Sequence, residues 1–408
     1  MSQELYDVIV VGGGASGMIA AVEAASYHDK VLLIEKADKL GRKVAASGNG
    51  RCNLMNRSSL RYYGDSWFAR EVFAHCPPAE LESTWYKYGL ILAEDADARV
   101  YPVTYHSSTV LDTLKIFLDR YGVRILYGTE VKAVHPGPNG FTVDHTANYP
   151  LCGKRIILAT GGPAQPKLGG NRDGVRMLEE LGYTSYPYVP ALCPVCTDTR
   201  SVSGLAGIRC NARVRLLSGK QSLHEERGEV LFTEYGISGI CVMQCARFIP
   251  AVPGCSIELD MAESLLPDGH SLNDELFRRR DIFRMERSEK LLTGMLVPKL
   301  AFAVMKQAGM PLRGETVQSL TDEDVRRIGY TMTHYRLQVT GTRGFDYAQA
   351  AAGGIACRHF NPATMESVIT SGLHATGELL NIDGDCGGYN LMFAFATGIL
   401  AGRNGRCA

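Results

Sequence analysis

The sequence lacks any apolar run long enough to cross a membrane, and Met1–Glu4 place no positive charge ahead of the first apolar stretch. A transmembrane helix needs about 20 consecutive apolar residues, and a secretory signal begins with a basic segment. We therefore expect a cytoplasmic protein with no membrane partner. The 12 cysteines then indicate reduced, mostly buried thiols rather than a disulfide framework.

The sequence also lacks an excess of either charge, because 43 Lys and Arg residues balance 43 Asp and Glu residues. Nucleic-acid binding usually leaves a basic excess or patch, so no nucleic-acid partner is expected. The ten histidines show no metal-ligand spacing with cysteines or carboxylates, and we expect no metal. A chain of 408 residues predicts two or three domains.

A dinucleotide-binding unit opens the chain. The run Tyr6–Val11 is typical of a strand buried on both faces. Gly12, Gly14 and Gly17 follow it in the pattern G-x-G-x-x-G, and an Ala-rich helix begins at once. A second strand ends at Glu35, which completes a βαβ unit of roughly 30 residues. The helix N-terminus would receive the pyrophosphate, and Glu35 would accept hydrogen bonds from the adenosine ribose.

Three further segments favour FAD over NAD. A Gly-rich polar loop, 41–54, follows the second strand where an NAD dehydrogenase usually has a helix. The run 154–162 reads as a buried strand that ends in small residues, which let a cofactor approach the backbone closely. Near the C-terminus, an acidic and Gly-rich turn, 375–390, leads into an apolar helix whose N-terminus can stabilise negative charge on a reduced flavin.

These motifs resemble the BaiN-like NAD(P)/FAD-dependent oxidoreductases, also called the aminoacetone oxidase family of FAD-binding enzymes. The resemblance rests on GGGASG (12–17), SGNGRCN (47–53), ATGGPAQPKLGGNRDG (159–174), FTEYGISGI (232–240) and GELLNIDGDCGGYNL (377–391). It implies an α/β fold in which a Rossmann-type FAD-binding domain, 1–190 and 336–408, is interrupted by a substrate-side domain. That insert would span 191–335, β-rich over 191–260 and helical over 261–335.

The segments and the resemblance together give a set of expected site residues. We expect FAD to contact Gly12, Gly14, Ala15, Ser16, Gly17, Glu35, Lys36, Lys43, Ser47, Gly48, Arg51, Asn53, Val131, Thr160, Gly161, Glu378, Asp383, Gly387, Gly388, Tyr389 and Asn390. Tyr389, Arg51 and Asn53 are the catalytic candidates. The Cys193–Cys196 pair, Cys52 and Cys386 are interpreted as packing residues, and Tyr235 as either a packing or a substrate group.

The resemblance implies hydride transfer between flavin and a small, largely apolar organic molecule. The favoured reaction is reduction of a conjugated C=C bond in an enone, steroid-like or bile-acid-like, with NAD(P)H as electron donor. Amine oxidation by O₂, as in the aminoacetone oxidase type, is one alternative, and a non-catalytic flavin-binding module is another. A monomer or a homodimer is expected.

The complete βαβ unit generates a first prediction. The purified protein should be yellow and should release FAD, not FMN, on denaturation, because the unit at 6–35 is built for the ADP half of the cofactor. Chromatography of the released chromophore measures this. A colourless protein that takes up no FAD when titrated would contradict the reading.

Overall fold

The computed structural model describes residues 5–147, 149–251, 253–263, 265–266, 270–310, 315–404 and 406. Its strands are β1 Leu5–Val11, β2 Val31–Ile34, β3 Met55–Asn56, β4 Tyr62–Gly64, β5 Leu92–Glu94, β6 Arg99–Pro102, β7 Arg124–Leu126, β8 Val131–Gly137, β9 Gly140–His145, β10 Leu151–Leu158, β11 Ser185–Ala191, β12 Val195–Thr197, β13 Arg209–Ser218, β14 Gln221–Thr233, β15 Gly236–Ser238, β16 Ser256–Asp260, β17 Tyr335–Thr342, β18 Ala350–Ile355, β19 Leu373–Ala375 and β20 Ile382–Gly384.

The α-helices are α1 Ala15–Ser26, α2 Arg42–Ala46, α3 Ser66–His75, α4 Pro78–Lys87, α5 Ser107–Arg120, α6 Asp173–Glu180, α7 Ile240–Met243, α8 Leu272–Ile282, α9 Pro298–Gln307, α10 Asp322–Thr333 and α11 Tyr389–Arg403. Short 3₁₀ turns lie at Ser47–Gly50, Pro166–Leu168, Ala246–Ala251, Ser288–Lys290, Val317–Ser319, Cys357–His359 and Gly377–Leu379. No helix of the described residues is both long and apolar enough to span a bilayer.

The described chain divides into two compact units, Met1–Pro190 with Ala348–Ala408, and Ala191–Tyr347. The first unit is built on a sheet of order β7-β2-β1-β10-β9-β8, with β19 also on β10. Strands β7, β2, β1, β10 and β19 run parallel, and β9 and β8 are antiparallel additions. Strand β10 belongs to both the parallel and the antiparallel part of the sheet. Its first half pairs with the antiparallel β9, and its second half pairs with the parallel β19.

The register of the parallel strands sets where the first unit can bind a ligand. Val11 of β1 lies opposite Ile34 of β2 and Leu158 of β10, so the three carboxyl ends meet at one edge. The glycine-rich turn, Glu35 and the segment after β10 leave the sheet at that edge. Open α/β sheets bind ligands there, and the arrangement is the Rossmann-type domain that the sequence predicts.

Helix α11 joins the C-terminal part of the chain to this domain by lying directly against α1. A Cβ atom on Gly398 would be 2.4 Å from the Ser16 carbonyl oxygen, and one on Gly402 would be 2.6 Å from the Ala20 carbonyl oxygen. The glycines therefore let the two helix backbones touch. At the next residue, the Arg403 Nε donates to the buried Glu23 carboxylate at 2.6 Å.

The second unit is a closed antiparallel barrel of order β12-β15-β14-β13-β16-β17, accompanied by α7 to α10. Its hydrophobic core combines barrel residues such as Val214, Phe232 and Leu337 with Val304 and Ile328 from the helices. Helix α10 begins with a capping box, in which Thr321 and Asp324 exchange hydrogen bonds.

One expected boundary is wrong. The sequence predicts that the chain returns to the first domain at residue 336, but β17, Tyr335–Thr342, pairs with β16 and β12 inside the barrel. The first unit resumes at Ala348. A strand that closes a barrel and one that returns to a sheet have the same alternating pattern, so the pattern alone does not separate them.

The helix contact generates the second prediction. Gly398→Ala should lower the free energy of unfolding by about 2 kcal/mol, because overpacking a close contact costs roughly 1–3 kcal/mol. In an unconstrained helix interior the same change would be stabilising. Urea unfolding of the FAD-loaded protein measures the effect. Gly137→Ala is the control, since a Cβ there would find its nearest atom at 3.7 Å; equal effects at both sites would refute the close contact.

Candidate active site

The turn between β1 and α1 is closed so tightly that it accepts only glycine at two positions. Gly12 has φ +105, and a Cβ atom on it would lie 2.5 Å from the Ala159 carbonyl oxygen. A Cβ on Gly17 would lie 1.8 Å from the carbonyl oxygen of Gly12. The turn thus holds the start of α1 directly above the carboxyl end of the sheet.

Gly14 differs from Gly12 and Gly17 because the space that a side chain would occupy is open. No heavy atom lies within 4 Å of the place where its Cβ would be. It is also the N-cap of α1, and no side chain caps the helix there. The first turn, which contains Ala15 and Ser16, therefore presents its N–H groups and the positive end of the helix dipole to open space, as an anion site requires.

Glu35 stands beside this turn in a fixed orientation. One carboxylate oxygen accepts the Gly13 N–H at 2.7 Å, and the other accepts the Ala37 N–H at 2.7 Å. Each oxygen has a further lone pair for a ribose hydroxyl. The next residue, Lys36, instead pairs with Asp173 at 3.4 Å, and Val131 begins the outer strand β8 opposite His145.

A second group of expected site residues meets at Glu378. The Lys43 ammonium lies 2.7 Å from the Glu378 Oε2. The N–H groups of Gly162 and Ala351 donate to the same carboxylate at 3.1 Å and 2.8 Å. Gly161, in the left-handed region with φ +71, adjoins this pair. Glu378 therefore ties together three segments that are distant in the chain.

A third group joins the polar loop to the start of α11. A Cβ on Gly388 would lie 2.6 Å from the Asn53 Oδ1, so the two segments are in contact. The Asn56 side chain donates to the Gly387 carbonyl at 2.9 Å, and the Asn390 side chain bonds both backbone groups of Gly384 at 2.9 Å. Asp383 is 2 % exposed, on β20.

Two buried polar atoms near these groups have no hydrogen-bond partner in the described structure. They are the Asn53 Oδ1 and the Thr160 Oγ1. A buried polar atom without a partner is costly, and a ligand that supplies hydrogen bonds would remove the cost. Together with the open space at Gly14 and the fixed Glu35, these atoms fit an FAD molecule laid across the carboxyl edge of the sheet.

The loop 47–53 has an unusual backbone. Asn49 and Cys52 have φ of 55 and 58, and Gly48 before them and Gly50 between them are also left-handed. The Ser47 hydroxyl donates to the Val44 carbonyl at 2.7 Å and fixes the start of the loop. Non-glycine residues hold such conformations only where the surroundings impose them, and they concentrate at functional sites.

Arg51 emerges from this loop at a cavity of about 590 Å³ that is lined by Asn49, Gly50, Arg51, Tyr105 and His106. Tyr105 is itself left-handed, with φ 52. The next residue, Ser107, donates from its hydroxyl to the Ala45 carbonyl at 2.9 Å, which fixes the 105–107 segment to α2. Tyr105 and His106 were not among the site residues expected from the sequence. The available signal for them is the polar Tyr-His pair directly before α5.

The other catalytic candidates are placed differently. Tyr389 is 4 % exposed, and its hydroxyl donates to the Ser59 carbonyl at 3.3 Å, so the group is engaged in packing. Asn53 is buried next to Gly388, as described above. Of the three candidates, Arg51 lines the cavity.

The thiols singled out in the sequence are held neutral. Burial raises the pKa of Cys52 to about 12 and raises the pKa values of Cys386, Cys193 and Cys196 as well. A thiolate is the reactive form of cysteine, so these environments favour packing over redox chemistry. No group of three or more metal-ligating side chains occurs among the described residues.

Comparisons with known proteins cover almost the whole chain. The family described as HI0933-like protein Rossmann domain matches residues 6–404. The chain is 34% identical over 406 residues to the 3-dehydro-bile acid delta(4,6)-reductase of Clostridium scindens, which is 97% of both chains. It is 27% identical to the ribosomal RNA dihydrouridine synthases of Haemophilus influenzae, over 95% of this chain and 96% of that one, and of Escherichia coli, over 97% and 96%.

The fixed carboxylate of Glu35 generates the third prediction. Glu35→Gln should weaken FAD binding about tenfold or more, because an amide nitrogen would face a backbone N–H donor and one charge-assisted bond would be lost, worth about 1.5–3 kcal/mol. Fluorescence titration of the apoprotein with FAD measures this. The control is Glu71→Gln on the exposed face of α3, and equal FAD affinity in both variants would show that the ribose is held elsewhere.

Proposed function

The chain belongs to the HI0933-like Rossmann family, and from this premise we propose that it reduces a C=C bond conjugated to a ketone in a steroid-like molecule. That it is an FAD-dependent oxidoreductase follows from the family and from the relatives over its full length. The substrate class, the electron donor and the residue roles are the proposal. NAD(P)H is the proposed donor of electrons.

The names of the relatives point to one type of reaction. A 3-dehydro-bile acid delta(4,6)-reductase, by its name, saturates double bonds conjugated to a 3-keto group, and a dihydrouridine is a uridine whose ring double bond beside a carbonyl is saturated. The higher identity, 34% over 97% of both chains, favours the steroid-like substrate. The zero net charge also favours a small molecule over RNA.

The cavity at Arg51 is the observation that carries the proposal. Saturating an enone adds a hydride to the β-carbon and a proton to the α-carbon, while negative charge develops on the carbonyl oxygen. Bound FAD, once reduced by the electron donor, would supply the hydride. The Arg51 guanidinium makes no ion pair with any described residue, so its N–H groups are available to donate to the carbonyl oxygen as the charge develops.

The same cavity holds two groups that carry a proton, the Tyr105 hydroxyl and the His106 imidazole. Either can donate to the α-carbon of a bound enone. The strained, fixed backbone on both sides of the cavity keeps these groups in place before a substrate arrives, which lowers the entropic cost of reaching the reactive arrangement. Glu35, Asn53 and Thr160 would hold the cofactor, and Lys43 would hold Glu378.

The fourth prediction tests this reaction. FAD-loaded protein, reduced anaerobically with limiting dithionite and mixed with a 3-keto-Δ4 steroid, should regain its yellow colour and form the saturated ketone. Arg51→Met should slow this step by about 10²- to 10³-fold, which is typical for removal of one group that stabilises a developing oxyanion. Stopped-flow absorbance and mass spectrometry of the product measure the two outcomes.

Parallel reactions decide between the alternatives. Reduced enzyme is offered O₂ or a uridine-containing RNA, and oxidised enzyme is offered a primary amine. Arg70→Met, an exposed arginine on α3, is the matched control for the loss of charge. Reduction of the enzyme by the amine, with no reaction toward the enone, would replace the proposal by amine oxidation.

A further inference from the structure

Arg343 in the second unit is enclosed between two aromatic rings. Its guanidinium carbon lies 4.3 Å from the ring centroid of Tyr235 and 4.0 Å from that of Tyr347. A cation over an aromatic face is attracted by the ring, and two faces restrict the guanidinium plane far more than one. The two contacts therefore restrict the guanidinium, and no described residue accepts a hydrogen bond from its N–H groups.

The backbone around this clamp, Tyr235–Arg343–Tyr347, is fixed by barrel hydrogen bonds. The Arg343 N–H donates to the Pro194 carbonyl at 3.0 Å, and the Thr197 N–H donates to the Tyr235 carbonyl at 3.0 Å. Pro194 precedes β12, Tyr235 connects β14 to β15, and Arg343 follows β17. The clamp thus sits where adjoining strands end, and the mouths of β-barrels are preferred positions for small-molecule sites.

The charge of Arg343 is not neutralised by any described residue within ion-pair distance, and this distinguishes it from the arginines of the barrel wall. Arg215 and Arg336 share the buried carboxylate of Glu258 at 2.6 Å and 2.8 Å, and Arg213 pairs with Asp260 at 3.0 Å. A guanidinium that is fixed in place but left without a carboxylate is prepared for an anion from outside the chain.

Cys196 lies close enough to Arg343 for the charge to affect the thiol. Burial raises the pKa of Cys196, and the positive charge of Arg343 opposes that rise. The half-buried Cys196 and the clamp therefore share one polar environment at the end of the barrel.

We propose that the Tyr235–Arg343–Tyr347 clamp is a binding site for an oxyanion, the carboxylate or phosphate group of a small organic ligand. A planar fork of N–H donors matches two oxygens of such a group, and the aromatic rings offer apolar surface to the carbon atoms beside it. Two sources share this chemistry: the carboxylate of an acidic substrate and a phosphate of a nicotinamide dinucleotide.

The first experiment measures binding without turnover, so its result does not depend on the proposed reaction. The Arg343 Nε–Hε resonance of the FAD-loaded protein, assigned by its absence in Arg343→Met, is followed while benzoate or inorganic phosphate is added. A saturable shift is expected with at least one anion, and no shift with chloride at the same ionic strength. Arg343→Lys, whose anion binding is measured by isothermal titration calorimetry beside the parent protein, should bind about tenfold more weakly, because it keeps the charge and loses the fork.

The control is Arg200→Met, an exposed arginine of the same unit, in which the Arg343 resonance should respond as in the parent protein. No saturable shift with either anion would overturn the proposal. An equal loss of anion binding in Arg200→Met would overturn it too, since anion binding would then depend on the net charge of the protein and not on the position of Arg343.

The second experiment identifies the source of the anion by titrating the oxidised, FAD-loaded protein. The ligands are NADP⁺, a keto-steroid carboxylic acid and the methyl ester of that acid. Arg343→Met should weaken the binding of one of the two anionic ligands by about ten- to a hundredfold and leave the affinity for the ester unchanged. Loss confined to the acid assigns the site to the substrate, loss confined to NADP⁺ assigns it to the dinucleotide, and loss of neither overturns the proposal.

Discussion

The close contact between α1 and α11 is the constraint on which the first unit depends. The helices come from opposite ends of the chain, yet a side chain on Gly398 or Gly402 would collide with the backbone of α1. The buried pair of Glu23 and Arg403 fixes the rotation of one helix on the other, since neither charge can remain buried without its partner. Because α1 is also fixed by Gly12 and Gly17, α11 acquires a defined position above the same edge of the sheet.

This contact explains how distant motifs form one site. With α11 fixed, its N-terminal segment meets the polar loop at Gly388 and Asn53, and the turn before it brings Glu378 to Lys43. The left-handed conformations of Asn49 and Cys52 persist because the surrounding elements leave the loop no relaxed alternative. A cofactor that fills the space between these segments would add to the same restraint.

The sequence predicted those features that depend on short-range patterns. The glycine turn, the helix after it and the acid at the end of β2 all lie within one βαβ unit, where spacing determines geometry. Lys43 and Glu378 were each expected near the cofactor, but their pairing was not, because they are 335 positions apart. Tyr105 and His106 were missed for a related reason: only the folded chain shows that Ser107 binds α2 and brings them beside Arg51. The return of the chain at 348 was missed because β17 carries no local sign of the strands it pairs with.

Four arginines of this protein differ in whether a carboxylate partner neutralises them. Arg403 pairs with the buried Glu23, and Arg336 pairs with the buried Glu258. Each pair fixes neighbouring elements, and the carboxylate neutralises the charge of the guanidinium. Arg51 and Arg343 are held by other means, the first by a strained loop and the second by two aromatic rings, and no described carboxylate neutralises either. The lack of a described carboxylate partner leaves each guanidinium able to interact with an anion, or with an oxygen on which negative charge develops. Our proposals for Arg51, at the reacting carbonyl, and for Arg343, at an oxyanion, both rest on this difference.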